Sequence, residues 1–337
     1  MRSQIEKGAQ DRPTRITLHD FIGEHLKVMC GQVAYATLAD QKRALKLFEK
    51  SIGGSIKLHQ IRPRHAEAFV AARLAHNRAV STVNKDIRTL RRIFNLAINP
   101  RGYVAEGQNP FTGIKERKAS RKSIHYVTIE EYESLLNAAN KLWWRALVAV
   151  AYGSGLRRRE ILNLTWMDID FEEKQIRVEP KNSTAHTIEW EPKDHEQRVV
   201  PMSDDATQLL ADLQAESKVG FPYLFITPRR FVLIKKREAT GHWHARSEEI
   251  NNLSRDFDVI QRRANVRRCT LHDLRRSAIT NWAQKLPIQV VQQLAGHSNI
   301  NTTRKYYIAV RPEDIALANE IVSSIRTEAA KKRLTQN

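Results

Sequence analysis

The sequence predicts a mainly α protein with a small antiparallel β-sheet, divided into a helical N-terminal part and a mixed α/β C-terminal part. Three observations carry that expectation. Apolar residues recur at three-and-four spacing along most of the chain, as one buried face of a helix requires. Short β-branched runs replace that pattern at Gln175–Val178 and Arg198–Pro201, the signature of a strand pair. At 337 residues, finally, the chain exceeds what a single hydrophobic core usually serves, so two domains are expected.

Taken in order, residues 1–14 are polar, carry Pro13 and are expected to form a disordered leader. Thr17 opens the first helix, with Leu18, Phe21, Ile22, Leu26 and Val28 near one face. A second helix is expected over 35–50, where Leu38, Leu45 and Phe48 form the stripe and Gly53 and Gly54 stop it. Pro63 marks the entry to a third, over 66–76. The fourth, 81–98, sets Val83, Ile87, Leu90, Ile93, Phe94 and Ala97 on one face and Lys85, Arg88, Arg91 and Arg92 on the other, with Asp86 as its single acid. These helices make a first domain over 15–105. A polar segment containing Asn109, Pro110 and Gly113 reads as a linker over 106–125.

The second domain, 126–337, opens on a capping box formed by Thr128 and Glu131. A helix to about residue 141 and another over 142–152 precede a turn through Gly153 and Gly155, and the two strands follow. Between the strands, 187–190 is expected to extend the sheet. Helices dominate from 204 onward, with an undecipherable basic stretch at 229–246 and an amphipathic tail helix over 312–326.

Composition narrows the function. Lys and Arg number 56 against 37 Asp and Glu, which points to a polyanionic partner, most often nucleic acid. The excess is uneven: residues 1–126 hold 24 basic against 10 acidic side chains, the remainder 32 against 27. That asymmetry, and the four cations on the fourth helix, make Lys85, Arg88, Arg91 and Arg92 the expected DNA-backbone contacts. Cys30 and Cys269 lack metal-ligand spacing and suggest free thiols in a reducing, cytoplasmic compartment. No apolar run follows the charged N-terminus, and the most apolar window, 143–156, is short and includes Arg145, so neither a secretory signal nor a membrane span is expected.

The chemistry-bearing residues lie further on. Arg157 follows the Gly153–Gly155 turn; Lys193 sits in a basic turn five residues ahead of Arg198; His272 and Arg275 are three apart and share a helix face; His297 follows Gly296; Tyr306 stands nine residues later, beside Tyr307. Two arginines, a lysine, two histidines and a tyrosine, without paired carboxylates or a Cys/His cluster, suit a site that holds a phosphate and attacks it. A guanidinium donates parallel hydrogen bonds to non-bridging oxygens and keeps its charge. A phenol, with an ordinary pKa of ~10, needs neighbouring cations to become a nucleophile near neutrality.

With those motifs in that order, the chain resembles the tyrosine recombinases of the phage-integrase family over nearly its whole length. The resemblance implies a helical core-binding domain followed by a mixed α/β catalytic domain. It also implies a site-specific recombinase or integrase that cleaves and rejoins DNA strands through a 3'-phosphotyrosyl intermediate. Arg157 and Arg275 fall where the family carries its clamp, and Glu160 where it has an acidic residue able to orient Arg157. Lys193 matches the strand-turn lysine that protonates the leaving oxygen, with Lys181 as its rival. His272 would contact the phosphate or manage a proton, His297 would donate to a phosphate oxygen, and Tyr306 would be the nucleophile. Arg158 and Arg159 are read as surface or backbone contacts, and His242 with His244 as surface. No metal or other cofactor is implied, since the arginines stand in for a cation. The implied partners are double-stranded DNA with a specific recombination site, a homo-tetramer on that DNA, and accessory DNA-bending proteins in the nucleoid. A type IB topoisomerase and a catalytically inactive DNA-binding regulator of the same fold remain the competing readings.

Overall fold

A computed structural model of the chain describes residues 15–33, 35–118, 125–192, 197–241, 243, 249–250, 252–308 and 319–320. It divides into two compact units, 1–123 and 124–337.

Unit 1 is built on four helices: α1 (Leu18–Met29), α2 (Tyr35–Ile52), α3 (Pro63–Ala75) and α4 (Val80–Ile98). The Thr17 hydroxyl caps α1 by accepting the Asp20 N–H at 3.2 Å. Pro63 begins α3, where its missing N–H costs nothing. Phe48 is the hub of the core, its ring centroid 5.2 Å from Phe111, 5.4 Å from Phe69 and 6.1 Å from Phe94. Asp86, which the sequence places among the cations of α4, is instead fully buried. Its carboxylate accepts from Arg43 of α2 at 2.7 Å and Arg73 of α3 at 2.9 Å, so one acid ties three helices together. An unpaired charge in that place would cost several kcal/mol.

The stretch expected as linker begins inside this unit. Val104 and Phe111 are buried in its core, Arg91 donates to the carbonyls of Phe111 (3.0 Å) and Ile114 (2.6 Å), and Asn84 exchanges two hydrogen bonds with the Arg117 backbone. A polar composition conceals one aromatic anchor. Through Arg117 the chain is held to α4; residues 119–124 lie outside the described ones.

Unit 2 comprises α5 (Ile129–Ala138), α6 (Leu142–Gly153), α7 (Arg158–Leu162), α8 (Asp204–Glu216), α9 (Pro228–Ala239), α10 (Leu253–Ala264), α11 (Leu271–Ala283), α12 (Ile288–Ala295) and α13 (Ile300–Ile308). A three-stranded antiparallel sheet runs β1 (Ile169–Asp170), β2 (Gln175–Val178), β3 (Arg198–Pro201), with Gln175 opposite Pro201 and Val178 opposite Arg198. The expected capping box is present: Thr128 Oγ1 accepts from Glu131 N–H and Glu131 from Thr128 N–H. Helix α6 is apolar apart from exposed Arg145, with Ala146 to Ala151 wholly buried, because it is the shared centre of this core.

The 187–190 segment does not lengthen the sheet. Lys181 and Trp190 form one antiparallel bridge, but Ile188 leaves the sheet to bury itself with Tyr223, Ile226 and Ile234, and its N–H donates to the Tyr223 hydroxyl at 2.8 Å. The excursion thus docks on α9, the helix within the basic stretch that resisted reading. The tail helix expected over 312–326 lies outside the described residues except for 319–320. Among the described residues, no helix is long and apolar enough to cross a membrane.

Candidate active site

Gly155 delivers the chain to α7 with φ +59, and a Cβ there would stand 2.7 Å from the Trp282 ring, so the turn needs glycine on both counts. Arg157 is the residue that caps α7. Its N–H donates to Glu160 Oε2 at 2.7 Å, its Nη1 to Glu160 Oε1 at 2.9 Å, and its Nη2 to the Gly296 carbonyl. Glu160, expected to orient that guanidinium, is thus in direct hydrogen-bond contact with it. Glu160 is 2% exposed and also takes a bidentate fork from Arg198, Nη1 at 3.2 Å and Nη2 at 2.6 Å, with Arg275 Nη1 at 3.9 Å. Burial pushes its pKa up, but Arg198, Arg157 and Arg275 outweigh burial and hold the carboxyl below its usual range.

Arg275 lies on α11, whose Thr270 cap accepts the Asp273 N–H. Only 1% of it is exposed. Its Nη1 donates to the Gly155 carbonyl at 2.5 Å, and its Nη2 reaches the Ala295 carbonyl at 2.6 Å and His297 Nε2 at 3.2 Å. Burial lowers its pKa to about 10, which still leaves it charged at neutral pH. Its buried Nε has no hydrogen-bond partner among the described residues. The carbonyls of Leu294, Ala295 and Gly296, consecutive at the end of α12, accept in turn from Arg198, Arg275 and Arg157. A helix C-terminus carries partial negative charge and unsatisfied carbonyls, which explains why three cations gather there.

His297 follows that turn. Arg275 can only donate, so His297 Nε2 accepts and its Nδ1–H donates to Thr303 Oγ1 at 3.0 Å. Burial, then the nearby arginines, depress its pKa to about 4, so the ring is neutral. In this arrangement Nε2 is occupied as an acceptor, whereas the sequence-based expectation was a donor to phosphate; donation would require that bond to Arg275 to be released. The Tyr306 ring stacks on His297 at 5.8 Å between centroids and 20° between planes, and packs against the buried cluster of Ile279, Val291 and Ala295. Tyr307 diverges: its hydroxyl donates to the Leu286 carbonyl at 2.6 Å. His272 sits at the surface near this cluster. Partial burial and then Arg276 and Arg275 keep its pKa below the ordinary imidazole value.

A family model described as the phage integrase family matches residues 125–313, more than half of the chain and the span that includes every one of these side chains. The chain belongs to the phage integrase family. Among its relatives are a tyrosine recombinase XerC-like protein of Caldanaerobacter subterraneus subsp. tengcongensis, 30% identical over 261 residues, and a tyrosine recombinase of Thermosipho africanus, 27% identical over 283 residues. The first match covers 70% of this chain and 64% of the relative, the second 80% and 87%. The fold is that of solved integrases. The Tn1549 transposon integrase, in complex with transposon right end DNA, matches 91% of this chain and all of its own at TM-score 0.63 and 20% identity. A lambda integrase dimer bound to a COC' core site matches 87% of this chain and 77% of its own at TM-score 0.65 and 18% identity.

Within this integrase-family chain, the structure brings together Arg157, Glu160, Arg275, His297 and Tyr306. Lys193, His242 and His244 lie outside the described residues. Lys181, the rival lysine, is committed elsewhere: Nζ pairs with Asp168 at 2.9 Å and lies over the Trp190 ring. The α4 cations belong to unit 1 and are largely engaged within it, Lys85 with Asp40 at 2.7 Å, Arg88 with Glu116, and Arg91 with the carbonyls named above; Arg92 is exposed. Sequence reasoning missed two residues. Arg159, read as a surface contact, pairs at 2.8 Å with Glu249, itself wholly buried and bonded to Asn163. Arg198 was read only as the start of a strand, yet alternation puts it on the inward face with Val200. A charge at an inward strand position was the available signal.

Proposed function

We propose that the chain is a site-specific DNA recombinase or integrase that cleaves and rejoins strands through a 3'-phosphotyrosyl link at Tyr306. The observation that carries this reading is the convergence, at the C-terminal turn of α12, of Arg157, Arg275 and His297 with Tyr306 stacked beside them. In the reaction, the Tyr306 oxygen bonds to phosphorus while the bond to the 5'-oxygen breaks. Arg157 and Arg275 neutralise the developing phosphorane-like charge, the phosphate oxygens competing for their N–H groups with the carbonyls they now hold at the end of α12. Lys193 gives a proton to the leaving 5'-oxygen, and the neutral imidazole of His272 accepts the phenol proton. One phosphodiester replaces another, so a 5'-hydroxyl can reverse the step without ATP.

The partner is double-stranded DNA carrying a specific recombination site, gripped also through the basic face of α4. Exchange between two duplexes cut on both strands needs four nucleophiles, hence a homo-tetramer on DNA, assisted by accessory DNA-bending proteins in the cytoplasmic nucleoid. The test is to incubate the protein with nicked duplexes randomised around the nick and to look for a covalent adduct on a denaturing gel. A 3'-linked adduct with the unaltered protein, enriched for one sequence, is expected. Its absence overturns the reading.

A further inference from the structure

We infer that Arg198 is a positioning residue of this strand-cleavage centre, setting the Arg157–Glu160 pair in register with the α12 turn that precedes His297. The inference rests on the cleavage reading above and adds a residue to it.

A guanidinium at the inward start of β3, side chain 3% exposed, is costly unless each of its nitrogens finds an acceptor. Arg198 meets that condition with two different elements at once. Its Nη1 and Nη2 take both oxygens of Glu160, and its Nε donates to the Leu294 carbonyl at 2.9 Å. Glu160 can aim Arg157 only if its own rotamer is fixed, and the fork from Arg198 fixes it. With both oxygens shared, the carboxylate's charge is not spent on Arg157 alone. Above the guanidinium lies Gly296 at φ +61, where a Cβ would stand 2.9 Å from Arg198 Nη1, 3.0 Å from Cζ and 3.1 Å from Nε. The Gly296 carbonyl is the one that Arg157 Nη2 holds. The loop of contacts therefore closes: Arg157 to Glu160, Glu160 to Arg198, Arg198 to Leu294, and Gly296 back to Arg157. Arg157 and Arg198 both span from the carboxylate to the turn; Arg157 faces the proposed chemistry, and Arg198 braces the same two partners from behind, on Glu160 and the Leu294 carbonyl. A lysine in its place offers one point charge without the fork and cannot hold both partners with the same geometry.

The test uses the full chain and the nicked duplex selected by the randomised capture. Under single-turnover conditions, Arg198→Met should slow covalent capture ~100-fold, the usual cost of a misplaced reacting group, with duplex affinity within ~3-fold of the unaltered protein. Arg198→Lys should recover part of that loss, ~10-fold. In a Glu160→Gln background, Arg198→Met should add less than ~3-fold, because the two act through one contact. Gly296→Ala keeps every charge yet pushes a methyl into the guanidinium, and should also slow capture at unchanged affinity. Should Arg198→Met fail to melt cooperatively, Arg198→Lys and Gly296→Ala carry the test. Capture at the unaltered rate by the folded Arg198 variants, or losses that simply multiply with Glu160→Gln, overturns the positioning role. If the unaltered protein forms no adduct at all, the cleavage reading itself has failed.

Discussion

Two clusters of arginine in this protein invite contrast. On α4 of unit 1 the cations stand at or near the surface, three of them balanced by a local acid or carbonyl: Lys85 by Asp40, Arg88 by Glu116, Arg91 by Phe111 and Ile114, with Arg92 exposed. In unit 2, Arg198 and Arg275 are buried and, with Arg157, surround one carboxylate and three consecutive carbonyls. Exposed charges attract a polyanion at a distance and are screened by salt. Buried, hydrogen-bonded charges are oriented before the substrate arrives, which is what transition-state stabilisation requires. The lesson is that a count of cations identifies the grip, whereas burial identifies the chemistry.

The contrast can be broken most decisively at the nucleophile. Tyr306→Phe should abolish covalent capture, a loss of ~10⁴-fold or more, while Tyr307→Phe, whose hydroxyl is spent on Leu286, should leave capture intact; adduct formation by the Tyr306 variant would show that the wrong phenol was assigned. Next, Arg275→Ala should cost ~10³-fold in capture with little change in duplex affinity, measured by single-turnover kinetics beside a filter-binding titration. A collapse of affinity alone would give Arg275 the gripping role proposed for the cations of α4.

The third prediction concerns stability. Asp86→Asn strands the partners Arg43 and Arg73 and should lower unfolding free energy by ~3 kcal/mol in urea titration, whereas loss of exposed Arg92 should not register there. The fourth turns on pH. His25 in unit 1 and His297 in unit 2 each accept a hydrogen bond from an arginine, Arg101 at 2.9 Å and Arg275 at 3.2 Å, and burial lowers both pKa values. Folded they are neutral, while the unfolded chain binds a proton below ~6.5. Stability is therefore full above that pH and falls as pH drops toward about 4, the value for His297. His297→Gln should remove ~2 kcal/mol of that acid loss; an unchanged pH profile of melting would refute the neutral assignment. Smallest of all, Arg92→Ala should reduce the salt slope of duplex binding by ~1 and leave capture at saturating duplex untouched.

Much of this protein was legible before any coordinates. Periodicity located α1, α4 and both longer strands, because a helix or strand with one buried face must repeat its apolar residues at 3.6 or 2, and a continuous apolar run located α6. Motif order singled out Arg157, Glu160, Arg275, His297 and Tyr306, which the fold brings together, because each of these residue types suits one task at a phosphate. What failed to show was whatever depends on where a side chain points. The polar composition around Phe111 read as linker although one aromatic ring anchors it, and β1 is too short to carry a period. Asp86 looked like a lone acid among cations, and Arg198 like the first residue of a strand.

The chain by itself determined its helical character, its basic charge and which side chains are candidates for the reacting groups, since these follow from local spacing and from functional-group chemistry. Only the tertiary structure decided which charges are buried, which carbonyls they satisfy and which of two adjacent phenols stands beside His297. Those outcomes depend on residues as far apart as Arg157 and Gly296, and no local pattern encodes a contact across that separation.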